Sequence, residues 1–167
     1  DGQANSGSLD AFISKFNSDG IKDWTRFLGG ASVDRGRVLT TGLDGSIYIA
    51  GYTTGNLDDQ TFNGGSADAF ISKFNSDGTK DWTKLIGDTG KEFGNALTTG
   101  LDGSIYIAGY TTGDLDGQTN NGNSDTFISK FNIDGTKDWT RLIGDTGNDF
   151  GNALTTGLDG SIYIAGY

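Results

Sequence analysis

The chain has 167 residues, enough for one domain with a sizeable core, and it carries 29 Gly, 10 Phe, 6 Tyr and 3 Trp but no Pro, Cys, His or Met. Lys and Arg number 12 against 22 Asp and Glu, a formal charge of -10; such a charge repels nucleic-acid backbones and anionic membrane surfaces. The composition excludes disulfides, thiolate catalysis, zinc–thiolate sites and an imidazole base, and no apolar run is long enough to cross a bilayer as a helix. Neither a nucleic-acid partner nor membrane insertion is expected, and cations or neutral polar ligands fit the charge better.

The chain opens at Asp1 with no initiator Met and no signal-like stretch, which reads as a mature form or an excised piece. Residues 10–28 hold two apolar-punctuated runs joined by a turn at Asn17-Ser18-Asp19-Gly20. The stretch Gly-Leu-Asp-Gly-Ser-Ile-Tyr-Ile-Ala-Gly-Tyr then occupies residues 42–52 and returns unchanged at 100–110 and 157–167. Its Asp-Gly is a turn dipeptide, and the β-branched and aromatic run after it is apolar on both alternating faces, as suits a strand covered on both sides.

Trp24, Trp82 and Trp139 lie 58 and 57 residues apart, as do Asp10, Asp68 and Asp125, a period close to that of one propeller blade. Each period parses into four strands, typified by residues 96–100, 104–111, 125–131 and 137–143. Tight turns join the first to the second and the third to the fourth, while long polar connections (112–124 and 144–152) join the rest. The predicted fold is all-β, a β-propeller of four-stranded antiparallel blades, three per chain.

The runs Gly-Asp-Thr-Gly-Asn-Asp-Phe-Gly-Asn-Ala-Leu (144–154), Leu-Asp-Gly-Ser-Ile-Tyr-Ile-Ala-Gly-Tyr-Thr (101–111), Asp-Thr-Phe-Ile-Ser-Lys-Phe (125–131) and Asp-Gly-Thr-Lys-Asp-Trp (134–139) resemble the bacterial SBBP-type β-propeller repeat, named for seven-bladed propellers. The resemblance covers essentially the whole chain, three times. It implies a propeller and an extracellular or cell-surface setting in bacteria, and it implies no defined activity. The first copy departs most, with Gly-Ala-Ser-Val-Asp-Arg-Gly-Arg at 30–37.

The acidic loops at 87–94 and 144–151 enter the innermost strand, so Asp34, Asp88, Glu92, Asp145 and Asp149 are the candidate ligand- or ion-binding residues, an acidic ring suited to a hard cation such as Ca²⁺. The competing reading has these carboxylates capping turns. The turn at 75–81 has oxygens spaced as in a calcium loop but lacks the regular order and the distant Glu, and it reads as a hairpin. The tryptophans are expected to pack between blades rather than stack on sugars, and the Ser/Thr/Asn-rich connections to be solvated. Gly51, Gly109 and Gly166 are expected where an adjacent blade approaches closely. No catalytic residue is assigned. The functional expectation is a non-enzymatic scaffold or interaction module with no obligatory cofactor. A glycan- or calcium-binding propeller is the alternative, and a hydrolase a distant third.

Residues 1–167 thus read as one half-ring domain of three repeats, with one blade split between the termini. Three blades cannot close a ring that takes four to eight. The expected partner is a second copy, completing six blades as a homodimer, or the rest of a longer propeller chain, with a protein or glycan ligand besides.

Overall fold

The computed structural model describes residues 5–167, and among them the chain is all strand and turn. Twelve strands follow one another: β1 (Ala11–Phe16), β2 (Lys22–Leu28), β3 (Asp34–Thr41), β4 (Ile47–Thr53), β5 (Asp68–Phe74), β6 (Lys80–Ile86), β7 (Glu92–Thr99), β8 (Ile105–Thr111), β9 (Asp125–Phe131), β10 (Lys137–Ile143), β11 (Gly151–Thr156) and β12 (Ile162–Gly166). They make two complete antiparallel blades, β3-β4-β5-β6 and β7-β8-β9-β10, flanked by two-stranded half blades, β1-β2 and β11-β12. The four-strand parse of the repeat holds.

Both kinds of tight turn share one chemistry. In the β7–β8 turn, Gly103 N–H donates to the Gly100 carbonyl (3.0 Å) and Gly100 N–H to that of Ser104 (2.8 Å); the Asp102 carboxylate accepts from Ser104 N–H (3.0 Å), and Gly103 sits at φ 82. This is a type I turn closed by a left-handed glycine, a geometry L side chains resist. The β5–β6 turn repeats it, with Asp77 accepting from the N–H (2.8 Å) and hydroxyl (2.7 Å) of Thr79. Asp77 Oδ1 is engaged in the hairpin itself.

The first strand of each blade starts earlier than its apolar pattern predicts, at Glu92 instead of Ala96. A bulge at Asn95, between Gly94 and Ala96, breaks the alternation, so Glu92 to Gly94 read as loop although they pair with β8. The same bulge accounts for Gly109: a Cβ there would lie 1.7 Å from the Phe93 carbonyl oxygen. The close approach comes from the paired strand of the same blade, not from the adjacent blade, and it recurs at Gly51 and Gly166.

Neighbouring sheets stack through apolar faces. Ala11, Ile13 and Leu28 pack on Phe70 and Phe74; Tyr48, Ala50, Ala69 and Ile71 pack on Leu97, Phe127 and Phe131; Tyr106, Ala108 and Ile128 meet Leu154, Ile162 and Ile164. In every blade the Phe face of the third strand looks back and its Ala/Ile face looks forward. First strands meet most intimately, with the Thr99 hydroxyl donating to the Thr41 carbonyl (2.7 Å) and that of Thr156 to the Thr99 carbonyl (2.9 Å), as the innermost strands of a propeller do. Two of the three tryptophans pack between blades as expected: Trp82 stacks on Phe131 at 6.5 Å and lies against Gly135 of the next blade, as Trp24 lies against Gly78, while Trp139 meets Tyr106 of its own blade.

The 54–66 and 112–124 connections are not simply solvated. Leu57 and Leu115 are completely buried between sheets. Asp58 turns back to accept from Lys80 and the Thr83 hydroxyl, as Asp116 does from Lys137 and Thr140. The leucine thus anchors each loop between sheets, and the aspartate fastens it to its own outermost strand.

Candidate functional site

All the long connections emerge at one end of the strands, and the residues beneath them form the candidate site. Its floor is a row of carboxylates and hydroxyls in register. Asp34 of β3 faces Thr53 of β4, which faces Asp68 of β5; Glu92, Thr111 and Asp125 repeat the row in the next blade. Parallel bridges Leu9–Val33, Ala67–Lys91 and Ser124–Asn148 tie each third strand to the next blade's first. They bring Asp10 toward Asp34, Asp68 toward Glu92 and Asp125 toward Asp149.

These side chains are deeply buried: Asp34 is 1% exposed, and Asp68, Glu92 and Asp125 are fully enclosed. Each binds the loop above it. Asp34 accepts from Gly30 N–H (2.8 Å), Glu92 from Asp88 N–H (3.2 Å) and the Thr111 hydroxyl (2.7 Å), and Asp149 from Asp145 N–H (3.1 Å). Asp68 accepts from the backbone (2.8 Å) and side-chain (3.0 Å) N–H of Asn63, and Asp125 from Asn121 N–H (2.9 Å). The second oxygens of Asp34, Asp68 and Asp125 are buried without a partner among the described residues.

Burial raises the pKa of Asp34, Asp68 and Glu92, because an ionised carboxylate loses its hydration there. Glu92 is pushed up to about 7, with the charges of Asp68 and Asp88 adding to the effect of burial. It is therefore poised to hold a proton near neutral pH.

The five residues singled out from sequence separate into two sets. Asp34, Glu92 and Asp149 lie in the floor, each at a different blade junction and next to a carboxylate of the preceding sheet. Asp88 and Asp145 are exposed above it, their carboxylates accepting from the N–H of Thr89 (2.8 Å) and Gly147 (3.0 Å). Among the described residues no three acidic side chains gather so as to hold a metal ion.

Sequence reasoning missed a row of rings beside the floor. Tyr52 meets Phe93 (4.4 Å between centroids), Phe93 meets Tyr110 (5.1 Å), Tyr110 meets Phe150 (4.6 Å) and Phe150 meets Tyr167 (5.5 Å). Arg37 lies over both Tyr52 and Phe93 at 5.0 Å, and Arg35 takes the place that Phe93 and Phe150 hold in later copies. The signal was present as Tyr and Phe at fixed offsets. Half-exposed rings of this kind offer stacking faces and cation–π contacts.

The stacked four-stranded sheets and their repeated loop face define a β-propeller repeat protein. Residues 81–116 match the SBBP Beta-propeller repeat, and residues 43–83 and 101–140 match a second propeller family, described as Domain of unknown function (DUF5122) beta-propeller. The chain thus carries β-propeller repeats, the SBBP match itself lying at residues 81–116. The chain is also 29% identical over 143 residues to the Regulatory protein FlaEY of Caulobacter vibrioides, a match covering 78% of this chain and 15% of that protein. The chain thus spans a small fraction of that relative's length.

Proposed function

We propose that the chain is a non-enzymatic β-propeller module, a scaffold and interaction platform within a bacterial secreted or cell-surface protein. One observation carries the reading: the acidic residues that would be the candidates for chemistry are spent on architecture. Asp34, Glu92 and Asp149 each hold the N–H of the residue four positions before them, so each closes its own loop. The same arrangement recurs in all three copies, whereas acid–base hydrolysis requires two carboxyl groups in unlike environments at one place. The name of the Caulobacter relative, a regulatory protein, agrees with a binding role. The surface setting follows the family resemblance, and cell fractionation tests it.

The aromatic row with Arg37 favours a second reading, a glycan-binding propeller with equivalent sites on the loop face; a Ca²⁺ site there would rest on pairs of carboxylates, since among the described residues no three gather. Calorimetry with Ca²⁺ and a glycan array separates these from the first reading. A flat response to both supports the scaffold, and several equivalent sites whose number falls in Tyr110→Ala support glycan binding. Hydrolysis of a chromogenic glycoside that disappears in Glu92→Gln overturns the non-enzymatic reading.

A further inference from the structure

The bulge in each first strand turns one extra side chain out of the ladder. The register breaks fall between Gly36 and Val38, between Gly94 and Ala96 and between Gly151 and Ala153, so Arg37, Asn95 and Asn152 are the bulge residues of the three copies. Bulges re-aim side chains in this way, often beside functional sites. Here the three side chains meet from blade to blade. Arg37 Nη1 donates to Asn95 Oδ1 (2.6 Å), and Asn95 Nδ2 donates to the Gly151 carbonyl (3.2 Å) and to Asn152 Oδ1 (3.5 Å). Because the first strands are the innermost, this polar row runs around the axis beside the row of rings.

The first copy alone puts a cation in the polar row. Arg37 lies over Tyr52 and Phe93 at 5.0 Å, and Arg35 lies over the same Tyr52 at 6.0 Å. Arg37 is exposed, and among the described residues it pairs with no carboxylate, although the chain has 22 acidic residues. Lys73, Lys80, Lys130 and Lys137, by contrast, are all held by aspartates. A guanidinium presents a planar fork of N–H donors, and Asn95 engages only one of its nitrogens. Asn95 and Asn152 fill the same bulge without a charge, so the bulge itself does not require one.

Resting on the glycan-binding reading of the loop face, we propose that Arg37 is the acid-recognising point of the row and takes the carboxylate of a uronic-acid residue in an oligosaccharide. A planar carboxylate matches the guanidinium fork. The rings of Tyr52 and Phe93 beside it offer apolar surface to the sugar ring, and the amides of Asn95 and Asn152 supply donors and acceptors to its hydroxyls. A neutral sugar has use for the rings and amides alone; an acidic one engages the guanidinium as well. The chain's charge of -10 opposes an acid at a distance, but beyond about 8 Å it is screened at physiological ionic strength, and at contact the guanidinium decides. Arg37, Tyr52, Phe93 and Asn95 all belong to the two complete blades, so the site draws on neither half blade.

A glycan array carrying uronic-acid oligosaccharides beside the methyl esters of the same oligosaccharides tests the site. The wild type is expected to bind the acids about tenfold or more tightly than the esters, the loss of one charge-assisted contact. Arg37→Asn gives the first copy the residue that both later copies carry at the bulge. It is expected to lose the preference while keeping its β-type circular dichroism spectrum and cooperative melt. Combining Arg37→Asn with Asn95→Arg moves the guanidinium one blade on, to the rings of Tyr110 and Phe150, and is expected to restore the preference. Esters bound as well as acids, or a preference that survives in Arg37→Asn, overturn the proposal and leave the glycan-binding reading standing. A folded double variant that does not regain the preference overturns it equally. Binding of neither set overturns the proposal and the glycan-binding reading together.

Discussion

β1 and β9 are nearly the same strand, Ala-Phe-Ile-Ser-Lys-Phe against Thr-Phe-Ile-Ser-Lys-Phe, yet they live in different solvents. In β9 the two phenylalanines are enclosed between blades; in β1 they face water. Both strands are formed, both pair with a following Trp-bearing strand, and both end in the same hairpin turn. The difference shows that local sequence and turn chemistry suffice to shape the third and fourth strands as a unit, and that the burial holding a blade in place comes from the first and second strands and the preceding sheet. Substitutions at matched positions measure that contribution directly.

The largest contrast is expected at the phenylalanines. Phe127 is fully buried in the cluster joining the two complete blades, and Phe127→Ala should cost about 3–5 kcal/mol of stability through lost burial and the cavity left behind. Phe12→Ala, read by urea unfolding, should change stability by less than about 1 kcal/mol, since Phe12 is largely exposed. Equal effects at the two positions would mean that the half blade is as well packed as the complete one.

The junction carboxylates come next, through pH. Glu92 titrates near 4.5 when unfolded and at about 7 when folded, so the folded chain keeps a proton that the unfolded chain releases. Its contribution to stability is fully present below pH 4.5, declines as pH rises, and is gone above about 7, a change on the order of 3 kcal/mol. Asp34, at the junction with β1–β2, is also raised by burial and adds a slope of the same sign. Urea midpoints measured from pH 4 to 8 should therefore fall with pH in the wild type and flatten in Glu92→Gln. A wild-type profile rising over that window would show that these carboxylates are ionised and compensated in the fold.

Gly109 sits against the bulge of a complete blade, Gly166 against the same bulge of a half blade. A Cβ would lie 1.7 Å from the Phe93 carbonyl oxygen at the first and 1.9 Å from that of Phe150 at the second. Gly109→Val should cost about 1–3 kcal/mol, and Gly166→Val less, because β12 has a free edge along which it can shift. Thermal melts of the two variants order them.

The repeat period, the Asp-Gly turns and the doubly apolar second strand were all legible in the sequence, because each rests on contacts within one blade. The bulge at Gly94 was not, since it puts two residues opposite one and breaks the alternation that marks a strand. Leu57 and Leu115 were also hidden: a single apolar residue in a polar loop has no periodicity, and only the neighbouring sheet decides that it is buried. For the carboxylates the sequence placed Asp34, Glu92 and Asp149 on the loop side, but the burial of Asp34 and Glu92, and the approach of all three to Asp10, Asp68 and Asp125, depend on how consecutive blades stack. That relation spans a whole repeat and has no local signature.

The smallest contrast concerns one hydrogen bond made three times. Ser72 with Thr83 and Ser129 with Thr140 pair hydroxyl to hydroxyl at 2.8 Å in buried surroundings, and Ser14 with Thr25 makes the same 2.8 Å contact where it is only partly covered. Ser129→Ala leaves the Thr140 hydroxyl with fewer partners in a place water does not reach, and should cost about 1–2 kcal/mol. After Ser14→Ala, water can take over the bond to Thr25, and the loss should stay within about 0.5 kcal/mol. Urea denaturation of Ser14→Ala and Ser129→Ala orders the two: equal losses would mean that the Ser14 pair is as well shielded from water as the Ser129 pair.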